Sequence, residues 1–288
     1  GDLSLGQAGF MCVGACSGAL FSNLMEAAFP EAFLRFPIAL LLGGVCAAIF
    51  GILIGIPVLR LRGDYLAIVT LAFGEIIKNI CASIYLGKDA NGFQTSLKSV
   101  SDMNMANDGE MLINGALGIN GTPHDSNFVI AFIILFVTVI ISYNFVNSRT
   151  GRAVMSIRDN KIAAESIGIN ITKYKLITFA LTAFLAGVAG VIYSHNFSTL
   201  QASKFDYNTS ILVLVFVVLG GIGSIRGSVI AAVVLTLIPE LLRDTIVGDY
   251  RMLFYAIILI SMMLFTSNKT LKDKFVGIFS KKKKGEVK

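Results

Sequence analysis

The apolar run FVIAFIILFVTVIISYNF, residues 128–145, is followed by the polar stretch SRTGRAVMSIRDNKIAAESIGINITKYK, residues 148–175, and then by a second apolar run, LITFALTAFLAGVAGVIY, residues 176–193. Neither apolar run contains a charged residue. Roughly 20 apolar residues in a helix cross the hydrocarbon core of a bilayer. The pattern therefore predicts two membrane-spanning helices joined by a polar connection, which we call the basic segment (residues 148–175).

The composition of the whole chain agrees with this prediction. Its 288 residues are 55% hydrophobic and only 15% charged, with a mean hydropathy of +0.76. A soluble domain carries about 25% charged residues, and barrel strands alternate in polarity, which these long apolar stretches do not. We therefore predict an all-α integral membrane protein, a polytopic helical bundle. It has about eight apolar segments, the sixth and seventh short enough to be broken or half-membrane helices: 5–24, 36–59, 65–86, 128–145, 176–193, 209–221, 229–242 and 252–265.

The basic residues predict the orientation. If the lysine-rich tail is cytoplasmic and the segments alternate, seventeen of the 24 Lys and Arg residues lie inside and six outside. This agrees with the excess of positive charge in cytoplasmic loops, so the basic segment and the C-terminus are expected in the cytoplasm. The net charge of +6 is concentrated in the tail, which favours anchoring at anionic membrane lipid over nucleic-acid binding. The predicted organisation is a transmembrane domain, 1–266, and a basic cytoplasmic tail, 267–288.

The basic segment contains the signals of a short helix. Asp159 or Asn160 can cap its N-terminus, residues 161–167 form its body, and Gly168 can adopt the left-handed conformation after it. At the other side of the membrane, residues 87–127 are polar and rich in turn signals. They are predicted to form an external loop, which either partly covers a pathway entrance, meets an external partner, or is a solvated connector.

Several catalytic and metal-binding patterns are absent from the sequence. It has no G-x-x-x-x-G-K-[ST] and no H-E-x-x-H motif, so no P-loop ATPase site or zinc protease site is expected. Its two histidines, His124 and His195, fall at or beyond membrane ends, and His195 is interpreted as an interfacial side chain. Cys12 and Cys16 share a helix face without a nearby His or carboxylate, so they are interpreted as buried structural thiols and no metal site is predicted.

Glu75 and Lys78 lie three residues apart inside the third segment, and therefore on one helical face. Charges at membrane depth usually face a bundle interior or a wet cavity, so this pair is either a structural lock or part of a translocation path. Ser4 and Gln7 match a capping box at the start of the first segment. Because helix N-termini attract carboxylates, Ser4, Gly6 and Gln7 either approach a substrate or form an ordinary cap.

Small residues four positions apart favour close helix packing in lipid. They are Gly14/Gly18, Gly51/Gly55, Ala183/Gly187 and Ala186/Gly190.

Five stretches, in order along nearly the whole chain, resemble signature stretches of the LivM-like permeases, the membrane subunits of branched-chain amino-acid ABC importers. They are residues 3–10, 60–77, 115–123, 148–168 and 219–227. Members of that family usually begin with further membrane helices, and this sequence starts at Gly1 without Met, so a preceding segment is expected. The sequence departs from the family at Cys16, where an aromatic residue is common, and in a longer polar stretch, residues 94–111.

The resemblance implies an importer made of this permease, a related second permease, two cytoplasmic ATP-binding subunits and an external substrate-binding protein, in a bacterial cytoplasmic membrane. ATP and Mg²⁺ would be used by the ATPase subunits, and this chain would bind no cofactor. The expected substrate is a branched-chain or other small amino acid. The residues implied in coupling to the ATPases are Asp159, Ile162, Ala163, Ala164, Glu165 and Gly168, and the candidates for the translocation pathway are Ser4, Gly6, Gln7, Thr70, Glu75 and Lys78. The alternatives are an ion-coupled carrier or channel with Glu75 at its centre, and a membrane-embedded enzyme, for which no catalytic constellation can be assembled.

Overall fold

A computed structural model describes residues 4–26, 31–61, 63–89, 92–96, 110–241 and 260. The predicted eighth segment, 252–265, and the basic tail lie almost entirely outside these residues. The chain divides into two units, residues 1–211 and 212–288, and the boundary falls within one helix. The described helices are α1 Gln7–Met25, α2 Ala32–Val58, α3 Asp64–Ser83, α4 Phe128–Asn147, α5 Arg149–Asp159, α6 Lys161–Ser166, α7 Ile171–Ser194, α8 Tyr207–Gly220 and α9 Ile225–Leu241.

The predicted membrane helices are confirmed over the described residues. Six segments are long and apolar enough to cross a bilayer, and they comprise α1, α2, α3, α4, α7 and residues 202–220. The last combines a 3₁₀ turn, Ala202–Lys204, with α8. At 14 residues, α8 alone is about 21 Å long, and it contains almost all of the predicted sixth segment as one continuous helix. That this segment is broken or crosses only half the membrane stays a prediction. The 17-residue α9 contains only a shorter apolar helix, Ile225–Ile238.

The core of the first unit is a three-helix contact between α1, α2 and α7. Gly14 of α1 meets the backbone of Gly187 of α7, and Gly187 in turn meets α2. A Cβ added at Gly187 would lie 2.5 Å from the Cβ of Ala47 and 2.7 Å from the carbonyl oxygen of Gly43. Every pair of small residues predicted from the four-residue spacing contributes to helix packing here. In lipid, where apolar burial alone drives no association, such backbone approach allows dense van der Waals packing.

The predicted external loop contains β-structure. Strands β1 Tyr85–Asp89, β2 Gly92–Ser96 and β3 Glu110–Asn114 form an antiparallel sheet in the order β2-β1-β3. Strand β4, Ile119–Asn120, pairs with β5, Thr199–Leu200, beyond the end of α7. Gly118 permits this pairing, because its φ of +82° favours glycine and any Cβ would collide with the carbonyl oxygen of Leu200. The described part of the loop therefore pairs with residues that follow α7 and is more than a solvated connector.

A buried ion pair and a buried histidine fasten the loop end of the bundle. Arg35 of α2 donates to both carboxylate oxygens of Asp125, at 2.9 and 2.8 Å, and both side chains are less than a tenth exposed.

His195 is fully buried, which corrects its interpretation as an interfacial side chain. Its Nδ1–H donates to the carbonyl oxygen of Val191 at 2.8 Å, since a carbonyl only accepts, and the Ser22 hydroxyl donates to Nε2 at 2.7 Å. Burial lowers the pKa of His195, the Val191 carbonyl and Asp125 oppose that shift, and Arg35 adds to it.

Gly187→Val is expected to lower the free energy of unfolding by about 1–3 kcal/mol, because the added methyl groups overpack the α2–α7 contact. Thermal unfolding of the purified protein in detergent measures this change. Ala189→Val is the matched control, since Ala189 lies on the exposed side of the same helix. Equal unfolding midpoints for the two variants would contradict the close contact.

The histidine predicts a pH dependence. Because native His195 binds a proton less readily than an unfolded histidine, the unfolded chain carries more protons below about pH 6.5. The unfolding midpoint should therefore fall as the pH decreases through that value, and it should fall less steeply in His195→Gln. Identical pH slopes for wild type and variant would refute this role.

Candidate functional site

The basic segment folds as three consecutive elements, each started by a capping side chain. Ser148 accepts from the Gly151 amide at 3.1 Å at the start of α5, and Asn170 accepts from the Lys173 amide at 3.1 Å at the start of α7. Between them, the Asn160 side chain accepts from the amides of Ile162 and Ala163, at 3.0 and 3.1 Å, and starts α6. Asn160, and not Asp159, therefore supplies the predicted cap. Asp159 is the last residue of α5 and pairs with Arg158 at 3.0 Å on the surface.

Helix α6 ends as predicted. Gly168 has a φ of +86°, and the Ile169 amide donates to the Ala164 carbonyl oxygen at 3.1 Å, which closes the last turn. Ala164 is 2% exposed and faces the protein, whereas the Ile162 and Ile167 side chains are 81% and 74% exposed. Two large apolar side chains in a polar segment are costly to leave in water. This short helix therefore has a buried inner side and an apolar outer side.

A cavity of about 500 Å³ connects the basic segment to the N-terminal end of α1. Ser4 and Gln7 from the start of α1 line it, together with Thr178 and Thr182 of α7. Its apolar wall consists of Leu59, Leu66, Val154, Ile157 and Phe179.

Three basic residues also line the cavity: Arg158, Lys161 and Lys175. Among the described residues, the cavity lining includes no carboxylate side chain. Arg158 pairs with Asp159, so the positive character of the cavity comes mainly from the lysines and from the partial positive charge of the α1 N-terminus, which favour a negatively charged ligand group. The apolar wall favours an aliphatic one.

The start of α1 is positioned by contacts with other helices and not by a capping box. The N-cap residue is Gly6, which has no capping side chain, so Ser4 lies two positions too early to cap the helix. The hydroxyl of Thr70 on α3 accepts from the Leu5 amide at 3.0 Å, and the Ser210 hydroxyl accepts from the Ala8 amide at 3.3 Å. The capping-box prediction is therefore wrong, because hydroxyls from neighbouring helices satisfy these amides instead.

The other pathway candidates lie outside the cavity lining. Gly6 packs on the Thr70 backbone, and Thr70 is 1% exposed, so both contribute to the contact between α1 and α3. Glu75 and Lys78 form the predicted ion pair on α3, each about a fifth to a quarter exposed. A role for these four residues in the pathway stays a prediction.

Sequence reasoning missed most of the cavity. Outside the cavity, Ile167 and the caps Ser148 and Asn170 had a recognisable signal in the sequence, since each lies at a helix boundary within the polar segment. Leu66, Thr178, Thr182 and Phe179 had none, because in sequence they resemble any other residue of an apolar helix.

Comparison with known proteins agrees with this architecture. Residues 1–263 match the family model described as "Branched-chain amino acid transport system / permease component". The chain belongs to this family. It is therefore a multi-pass membrane permease component.

Several curated members and more distant relatives are similar to it. The chain is 32% identical over 273 residues to the high-affinity branched-chain amino acid transport system permease protein LivM of Salmonella typhimurium, covering 92% of this chain and 62% of that protein. It is 24% identical to the fructose import permease protein FruG of Bifidobacterium longum, covering 84% and 67%. It is 25% identical to the nucleoside ABC transporter permease protein NupC of Lactococcus lactis, covering 69% and 60%. The chain thus spans under two thirds of the length of its LivM relatives. No solved structure matches it.

Proposed function

We propose that this chain is the membrane-spanning permease subunit of an ATP-driven importer of branched-chain or similar small apolar amino acids in a bacterial cytoplasmic membrane. The observation that carries the proposal is the cavity between the α1 N-terminus and the basic segment. It combines cationic groups and a helix N-terminus with an aliphatic and aromatic wall.

This combination matches the two ends of an apolar amino acid. The carboxylate would lie towards Gln7, Ser4 and the α1 N-terminus, as substrate carboxylates do at helix ends in other transporters. The side chain would lie against Leu66, Ile157 and Phe179. Sugars and nucleosides, which the names of some relatives indicate as their cargo, lack the carboxylate that the basic lining attracts.

The basic segment is the proposed coupling site. The sequence contains no P-loop, so energy would come from separate ATP-binding subunits that use ATP and Mg²⁺. Ile162 and Ile167, presented by the capped α6, would insert into an apolar cleft of such a subunit, with Ala163 and Glu165 beside them. Since α5 and the start of α7 also line the cavity, a movement of this segment would change the cavity directly, as alternating access requires.

The remaining parts of the importer follow from this assignment. A related second permease would complete the membrane unit, and an external binding protein would deliver the amino acid to the side that carries the sheet β2-β1-β3. The basic segment and the C-terminal tail would be cytoplasmic, in agreement with the positive-inside bias. An ion-coupled carrier is disfavoured, because Glu75 is neutralised by Lys78 and leaves no lone carboxylate to bind the coupling ion.

Proteoliposomes that contain the full-length permease, its ATPase subunits and its binding protein should take up radiolabelled leucine only with ATP inside. Gln7→Leu is expected to reduce uptake about tenfold, because it removes a polar contact worth about 1.5 kcal/mol to a charged group. Ser17→Ala is the control on the same helix, since Ser17 bonds only within α1 and is absent from the cavity lining. Uptake of ribose or uridine in place of leucine would overturn the substrate assignment, and uptake driven by an ion gradient without ATP would overturn the importer assignment.

The coupling site has its own test. Ile162→Ser should reduce ATP-driven uptake about tenfold or more, because burying an isoleucine at an interface contributes about 1.5–3 kcal/mol. Basal ATPase activity and membrane insertion should stay unchanged. Ser166→Ala, at an exposed position of the same helix, should transport normally. Glu165 and Gly168 variants are expected to uncouple in the same way, and unchanged uptake in the Ile162, Glu165 and Gly168 variants would refute the coupling assignment.

A further inference from the structure

Three of the four cysteines converge at one place in the bundle. Cys12 and Cys16 lie one turn apart on α1, and Cys81 comes from the last turn of α3. Their Sγ atoms all lie within 4.8 Å of one another. The fourth cysteine, Cys46 on α2, is not part of this group.

We propose that Cys12, Cys16 and Cys81 form a binding site for a soft d¹⁰ metal ion, such as Cd²⁺, Zn²⁺ or Cu⁺, which bridges α1 and α3. The proposal is independent of the transported substrate. It revises the interpretation from sequence that Cys12 and Cys16 are purely structural thiols. The third sulfur belongs to Cys81, which lies on another helix, 65 positions after Cys16.

The spacing of the sulfur atoms fits such an ion. Zinc–thiolate bonds of about 2.3 Å place three trigonal sulfur ligands about 4.0 Å apart. The three Sγ atoms already lie within 4.8 Å of one another, which is close to that spacing. Backbone contacts between Gly6 and Thr70 and between Gly9 and Gly74 already hold α1 against α3, so the site is preorganised.

The surroundings select for soft ions. Cys12 is fully buried among apolar side chains that include Ala8, Ala15 and Phe205. Among the described residues, no carboxylate or histidine joins the group. Hard ions such as Mg²⁺ and Ca²⁺ require oxygen ligands, whereas thiolates prefer Zn²⁺, Cd²⁺ and Cu⁺.

Protonation is coupled to binding at this site. The thiolate is the form of cysteine that coordinates metal ions, so each coordinating thiol gives up its proton to solvent when the ion binds. The charge of the ion offsets the negative charge of the thiolates in this apolar interior. Cys16 and Cys81 are half-buried, whereas Cys12 is buried.

The test uses the full-length chain, purified in detergent under a thiol-free reductant and titrated with Cd²⁺. One Cd²⁺ per chain is expected at the site, with an ultraviolet thiolate-to-metal charge-transfer band, release of the protons of the coordinating thiols and a rise in the unfolding midpoint. Cys81→Ser should lose the band and the rise in midpoint, whereas Cys46→Ser, the matched control, should keep both.

A second measurement needs no variant and so does not depend on folding of a mutant. Alkylation of the wild-type protein, read peptide by peptide by mass spectrometry, should be slowed by Cd²⁺ at Cys12, Cys16 and Cys81 and unaffected at Cys46. Absence of saturable Cd²⁺ binding, equal protection of all four cysteines, or an undiminished band in Cys81→Ser would overturn the proposal.

Discussion

The contact of glycine backbones between α1, α2 and α7 is the constraint on which the rest of the first unit depends. Lipid provides no hydrophobic gain when two apolar helices associate, so their attraction comes from van der Waals contact over closely approaching surfaces. Gly14, Gly43 and Gly187 allow this approach by having no side chain. With α1 held in this way, its first turn lies at Thr70, the seventh residue of α3. The helix N-terminus is therefore held next to a cavity within the bundle.

The two ends of the bundle are stabilised by different chemistry. At the loop end, polar groups are buried and matched: the Arg35–Asp125 pair and the hydrogen bonds of His195 replace water in an apolar environment. Removing one partner of such a pair costs about 3–5 kcal/mol, because it leaves a buried charge uncompensated. At the basic-segment end, the short helices α5 and α6 are started by the half-buried Ser148 and the exposed Asn160, each cap worth about 1 kcal/mol. This difference is consistent with the movement proposed for that end of the bundle.

Helix α4 illustrates how the membrane environment changes the meaning of exposure. It is apolar on all sides, and none of its residues is buried within the chain. In water such a helix would aggregate, but in a bilayer its apolar surface contacts lipid or a neighbouring subunit. The exposed Ile162 and Ile167 have a different meaning, because they project from a polar segment that extends beyond the apolar helices.

The sequence by itself determined the membrane class, the helix positions, the small-residue packing positions, and the cap and glycine that delimit α6. Each of these follows from local chemistry: apolar length, residue spacing and the preferences of helix ends. The tertiary structure alone decided what long-range contacts control. Thr70 and Ser210 satisfy the α1 amides in place of the predicted capping box, His195 is buried, the loop pairs with β5, and Cys81 joins Cys12 and Cys16. The cavity was also decided by the tertiary structure. Its lining residues come from five helices and the stretches beside them, and they acquire a common role only when those helices pack.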